Sequence, residues 1–114
     1  MTRTELASMI DHTLLRPNAG QFDIEVICAE SIEYGFASVC INPIWVPIAN
    51  GILNEASPFV CSVVGFPLGA TTCMAEETAR AIEDGASEID MVMPAGYLKD
   101  GNTLKVAESV LDVV

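Results

Sequence analysis

Asp90 stands in Glu88-Ile89-Asp90-Met91-Val92-Met93, a run of strand length and mostly apolar composition. A carboxylate in such a run is costly to bury unless it is paired or used. Side chains alternate along a strand, so Ile89 and Met91 face one side, and Glu88, Asp90 and Val92 face the other. On that second side Asp90 can give and take a proton at a reacting centre. It can equally be a strand acid bonded to a backbone amide or a lysine, and both readings stand. Asp11, in Ile10-Asp11-His12-Thr13, offers the same acid–base chemistry or a turn acid that caps the preceding segment. His12 can serve as an acid–base group or as a hydrogen-bonded structural histidine.

Cys40 falls at the end of a second apolar run, Phe36–Ile41, where a thiol can meet a substrate. Nothing near it in sequence would activate the thiol, so inert packing is the favoured reading. The only lysines are Lys99 and Lys105, near the C-terminus, and Lys99 follows the Asp90 strand closely enough to overhang a site. A solvated ammonium is the plainer role for it. Gly65-Phe66-Pro67-Leu68-Gly69-Ala70 suits a phosphate-lining loop and suits a tight strand-to-helix turn equally well.

The 114 residues carry sixteen acids against five bases, a formal charge of −11. That field repels phosphate backbones, and no basic stripe offsets it, so nucleic acid is disfavoured as a partner. One histidine leaves no room for a His-based zinc site. Cys28, Cys40, Cys61 and Cys73 lie in apolar stretches without a C-x-x-C pair, which predicts buried, reduced thiols rather than a disulfide framework. No apolar run is long enough to span a membrane, and the N-terminus lacks a signal-peptide pattern, so the expectation is a cytoplasmic chain.

The elements that must position these groups alternate in type. A short helix around Glu5–Met9 precedes a strand near Ile10–Leu15. A helix over Phe22–Tyr34 follows, with Ile24, Ile27, Cys28 and Ile32 on one face and Gly35 as its stop. After Phe36–Ile41 comes a helix from about Trp45 to Leu53. Phe59–Val64 is a nearly continuous apolar run, as a strand in a parallel sheet should be. Thr72 is placed to cap a helix that ends at Gly85. Glu88–Met93 is the fourth strand. A last helix from about Thr103 carries Ala107, Val110, Leu111 and Val114 as an apolar stripe, and the chain stops in phase with that stripe, which reads as an interruption.

Glu33-Tyr34-Gly35 and Glu83-Asp84-Gly85 both end helices just before strands, a weak repeat spanning two βα units. Repetition of this kind means an α/β fold with parallel strands. The whole chain, 1–114, forms one domain, which is either a small doubly wound sheet or half of a (β/α)8 barrel, since a full barrel needs about 250 residues. No nucleotide-binding glycine motif follows the first strand.

Four segments carry a family resemblance. Ile10-Asp11-His12-Thr13-Leu14-Leu15-Arg16-Pro17, Ala37-Ser38-Val39-Cys40-Ile41-Asn42-Pro43, Val63-Val64-Gly65-Phe66-Pro67-Leu68-Gly69-Ala70 and Glu88-Ile89-Asp90-Met91-Val92 together resemble the deoxyribose-phosphate aldolases. The resemblance implies a TIM barrel that cleaves 2-deoxyribose 5-phosphate to glyceraldehyde 3-phosphate and acetaldehyde through a lysine Schiff base. It implies no cofactor and no metal. Asp90 then matches the family's proton-shuttling aspartate, Asp11 a polar residue of the pocket, and Cys40 a cysteine near the substrate.

Pro94-Ala95-Gly96 departs from the asparagine-containing turn common in the family at that point. The family's Schiff-base lysine lies on the sixth strand and a second lysine on the seventh, and neither Lys99 nor Lys105 matches them. The chain therefore resembles the N-terminal half of the enzyme and is expected to be inactive alone. The sugar phosphate or aldehyde is its expected partner in a full barrel, and an uncovered inner sheet face predicts a homo-oligomer. A self-associating half-barrel without catalysis and a phosphate- or aldehyde-binding domain are the competing readings.

Overall fold

The computed structural model describes all residues, 1–114. Four strands, β1 (Asp11–Leu14), β2 (Ser38–Ile41), β3 (Phe59–Val64) and β4 (Glu88–Met91), form one parallel sheet in the order β1-β2-β3-β4. Six helices accompany them: α1 (Arg3–Ala7), α2 (Gln21–Tyr34), α3 (Val46–Leu53), α4 (Met74–Asp84), α5 (Ala95–Lys99) and α6 (Thr103–Val113). A 3-10 turn, Pro43–Trp45, leads into α3.

The strand order decides between the two architectures left open by the sequence. A doubly wound sheet reverses its order at a switch point and so places helices on both faces. Here the order is sequential, and right-handed crossovers then stack successive helices on the same face. The core agrees: Ile24, Ile27 and Cys28 of α2, Val46, Ala49 and Leu53 of α3, and Ala81 of α4 pack on Val39, Ile41 and Val60. The opposite face holds only a small cluster of Cys40, Cys61 and Val63 with Leu15 against it, and no helix contributes. Only 24 of 114 residues are buried, which is the consequence of covering one face of the sheet. The small open-sheet alternative is thereby excluded.

Local chemistry explains the helix ends. Thr2 and Glu5 form a reciprocal capping box that starts α1 two residues earlier than the sequence pattern suggests. Gly35 (φ 69°) and Gly85 (φ 118°) close α2 and α4 in the left-handed region, so both halves of the repeat are helix stops.

Several expectations are corrected. Thr72 does not cap α4; the cap position belongs to Cys73, whose backbone N–H donates to Thr71 Oγ1 at 3.0 Å in a local turn. That turn also leaves Cys73 exposed, unlike the other three thiols. On α2 the buried face is Ile24, Ile27, Cys28 and Ser31, so three of the four expected positions are inside, while Ser31 takes the fourth place and Ile32 is 46% exposed at the margin. On α6 the inward side is Val106, Ser109 and Val113, at helical spacing, while Ala107, Val110, Leu111 and Val114 are exposed. The element α5 has no counterpart in the sequence reading.

Candidate active site on the inner sheet face

Strand alternation fixes which side chains share the uncovered face. In β2 the outer residues Val39 and Ile41 enter the helix-covered core, so Ser38 and Cys40 turn inward. Register then places Cys40 beside Cys61, and Val63 beside Asp90. The result is one cluster drawn from three consecutive strands. The Cys40 thiol donates to Asp90 Oδ2 at 3.6 Å. The sulfurs of Cys40 and Cys61 and a carboxylate oxygen of Asp90 all lie within 4.8 Å of one another. Cys40 and Cys61 are buried and Asp90 is exposed, so the carboxylate stands over a floor of thiols. Its hydrogen bond to Cys40 holds one oxygen and leaves the other free for a proton.

The Cys61 thiol stays protonated. The hydrogen bond with Cys40, then burial, then the negative charge of Asp90 push the Cys61 thiol far above the ordinary range. Cys61 was missed as a site residue in the sequence. Only register with Cys40 brings it there, and register is not visible in an isolated strand.

Asp11 opens β1 on the same side and accepts a hydrogen bond from Ser38 Oγ at 2.9 Å. It is exposed and sits toward the N-terminal end of the strands. His12 faces the other way: its Nε2 lies 2.8 Å from Glu30 Oε2 on α2, and its ring packs at a tilt against Phe36, with centroids 5.1 Å apart. It is a packing and ion-pairing residue between β1 and α2, apart from the inner cluster.

At the C-terminal ends of the strands the loops close in. Asn42 Nδ2 donates to Leu15 O at 3.2 Å and ties the end of β2 to that of β1. After β3, Gly65 (φ 62°) and Gly69 (φ 67°) turn the chain toward α4. A Cβ on Gly69 would collide with the carbonyl oxygens of Val92 and Met93, so the loop lies directly against the end of β4. Beyond it, Gly69, Thr72, Tyr97, Lys99, Lys105 and Asp112 help line a groove of about 660 Å³. Lys105 Nζ is paired with Glu108 at 3.3 Å. The groove shares no residue with the Cys40–Cys61–Asp90 cluster, so neither lysine faces Asp90 across a common cavity.

An inner face bearing an acid, reached from the C-terminal strand ends, on a one-sided parallel sheet, defines four βα units of a (β/α)8 barrel. Comparison with known proteins agrees. Curated deoxyribose-phosphate aldolases from Clostridium kluyveri and a Geobacillus species are 52% and 50% identical to it, over 100% and 96% of this chain and 53% and 50% of theirs. The structure of a protein provisionally assigned as a deoxyribose-phosphate aldolase from Coccidioides immitis superposes with a TM-score of 0.94 at 36% identity, covering 99% of this chain and 46% of its own. The tetrameric deoxyribose-phosphate aldolase of Aeropyrum pernix gives 0.78 at 31% identity, over 95% of this chain and 50% of its own. No protein-family model matches the chain. The chain is homologous to the deoxyribose-phosphate aldolase family over all of its residues. It spans about half the length of the curated relatives it matches. No helix is long and apolar enough to cross a membrane.

Proposed function

We propose that these residues form the N-terminal half of a cytoplasmic deoxyribose-phosphate aldolase, a Schiff-base lyase of deoxyribonucleotide breakdown that takes 2-deoxyribose 5-phosphate to glyceraldehyde 3-phosphate and acetaldehyde. The observation that carries the reading is Asp90, presented on the inner face with one oxygen hydrogen-bonded to Cys40 and solvent around the other. In this reading Asp90 is the catalytic residue of the half. It shuttles the proton as a carbinolamine, formed on a lysine of the complementary half, loses water. Cys40 orients Asp90 and borders the substrate. Asp11, held by Ser38, lines the polar pocket at its lower edge. No cofactor enters the scheme.

The 114 residues alone are then inactive. Lys99 and Lys105 line a groove that shares no residue with the Asp90 cluster, and Lys105 is ion-paired there. The test joins the chain to the complementary half of a related aldolase. The joined barrel should turn over 2-deoxyribose 5-phosphate, and the 114 residues alone should not. Borohydride in the presence of acetaldehyde should leave Lys99 and Lys105 of the isolated chain at the background of surface lysines. Stoichiometric trapping at either one, with turnover, contradicts the reading.

A second reading concerns the isolated chain and rests on its uncovered face. Phe59 shares the inner side with Cys61 and is 54% exposed, and β1 and β4 are both sheet edges. Parallel sheets are normally covered on both faces, and open edges recruit strands. Two copies of the chain supply eight strands and bury well over ~2,000 Å² in an obligate interface. Sedimentation equilibrium at low micromolar concentration tests this: a folded 12.1 kDa monomer with cooperative unfolding contradicts it.

A further inference from the structure

We propose that Cys40, Cys61 and Asp90 bind one thiophilic divalent cation, Zn²⁺ foremost, on the inner face of the sheet. The inference goes beyond the aldolase reading and stands on geometry alone; an ion held by Asp90 takes the carboxylate that the aldolase reading uses for proton transfer, so metal binding and turnover exclude each other at this site. Three donors on three consecutive strands converge within 4.8 Å of one another, with Cys40 Sγ and Asp90 Oδ2 at 3.6 Å. Tetrahedral zinc with Zn–S near 2.3 Å and Zn–O near 2.0 Å requires S···O of about 3.5 Å and S···S of about 3.8 Å. The Cys40–Asp90 edge already has that length, and the remaining edges close with side-chain movements on the order of 1 Å. Rigid backbone holds the set, because Cys40 and Cys61 are register partners.

The donor set selects the ion. Two sulfurs and one carboxylate oxygen suit zinc or cadmium and suit magnesium or calcium poorly. Binding displaces the two thiol protons to solvent and changes no oxidation state. Two thiolates, one carboxylate and the cation then sum to one negative charge, against the single carboxylate charge of the free site. Asp90 is the exposed member and provides the way in, so the fourth coordination position opens toward the inner face and takes water. Glu88, the register partner of Cys61, and Asp11 add negative potential on the same face. The other thiols are elsewhere: Cys28 is in the helix-covered core and Cys73 in the loop before α4.

Titrating the reduced protein with Co²⁺ tests the site. One equivalent should produce a thiolate-to-cobalt charge-transfer band and tetrahedral ligand-field bands, and Zn²⁺ should displace both. Cys61→Ser and Cys40→Ser should abolish the charge-transfer band or halve it, whereas Cys28→Ala and Cys73→Ser should retain it in full. Zinc-edge X-ray absorption of the zinc-loaded unmutated protein guards against variants that fail to fold, and should show two sulfur neighbours. A shell of oxygen and nitrogen alone, the absence of a charge-transfer band, or a band lost in Cys73→Ser and kept in Cys61→Ser overturns the proposal.

Discussion

Replacing Ile24 by alanine tests the division of the sheet into a covered and an open face. Ile24 is fully buried between α2 and the strands, beside Val39 and Ile41. The substitution removes three carbons, at roughly 0.8 kcal/mol each for lost burial, or about 2.4 kcal/mol. A cavity term adds to this where the neighbours cannot collapse, so the total should fall within about 2–5 kcal/mol. Ile32 is the matched control: it is on the same helix but 46% exposed, and Ile32→Ala should cost no more than about 0.5 kcal/mol. Urea denaturation of the joined barrel reads both, with a lowered midpoint and unchanged slope expected for Ile24→Ala. Below the transition, turnover should be unaffected, since Ile24 lies across the sheet from Asp90. Equal losses for the two variants, or a larger loss for Ile32→Ala, would refute the placement of the helix face.

Two of the glycines at φ near 70°, Gly35 and Gly69, should separate by their surroundings. Gly35→Ala meets open space and costs about 1–2 kcal/mol for the left-handed backbone alone, while Gly69→Ala also drives a Cβ into the end of β4 and should lower the urea midpoint further. Equal midpoints contradict the packing of that loop. Burial pushes the Cys28 thiol from 9.0 up to about 11. Below about pH 9 the thiol is protonated in folded and unfolded chains alike, and its contribution is fully present. As pH rises from about 9 through about 11, the unfolded chain sheds the proton that the folded chain keeps, so stability falls. Denaturation midpoints measured across that range should fall less steeply for Cys28→Ala than for the unmutated protein, and parallel curves contradict the assignment.

The alternation of strands and helices was legible because each element has its own apolar period, and Phe59–Val64 matches β3 to the residue. Alternation alone also set Asp90 opposite Ile89 and Met91. The choice between a half-barrel and an open sheet was not legible in periodicity, because both use the same βα units; strand order decides it. Helix α5 spans five residues and, unlike the equally short α1 with its capping box, has no side-chain cap to mark its start. The stripe on α6 misled because Val106 and Val113 flank a serine at the inward position, while larger residues point to water. Cys40 read as inert from its sequence neighbours, yet its contacts come from β3 and β4, and pairing across strands is what assembles the thiols beneath Asp90.

The role of Asp90 is tested most directly by Asp90→Asn in the joined barrel, assayed for cleavage of 2-deoxyribose 5-phosphate. An amide in that position keeps the shape and a hydrogen bond with Cys40 but cannot take up the proton. Loss of a positioned acid–base group lowers kcat by about 10²–10⁴-fold, and that loss should come with an unchanged urea midpoint. A rate within about twofold of the unmutated barrel would contradict the account and return Asp90 to a structural role on β4.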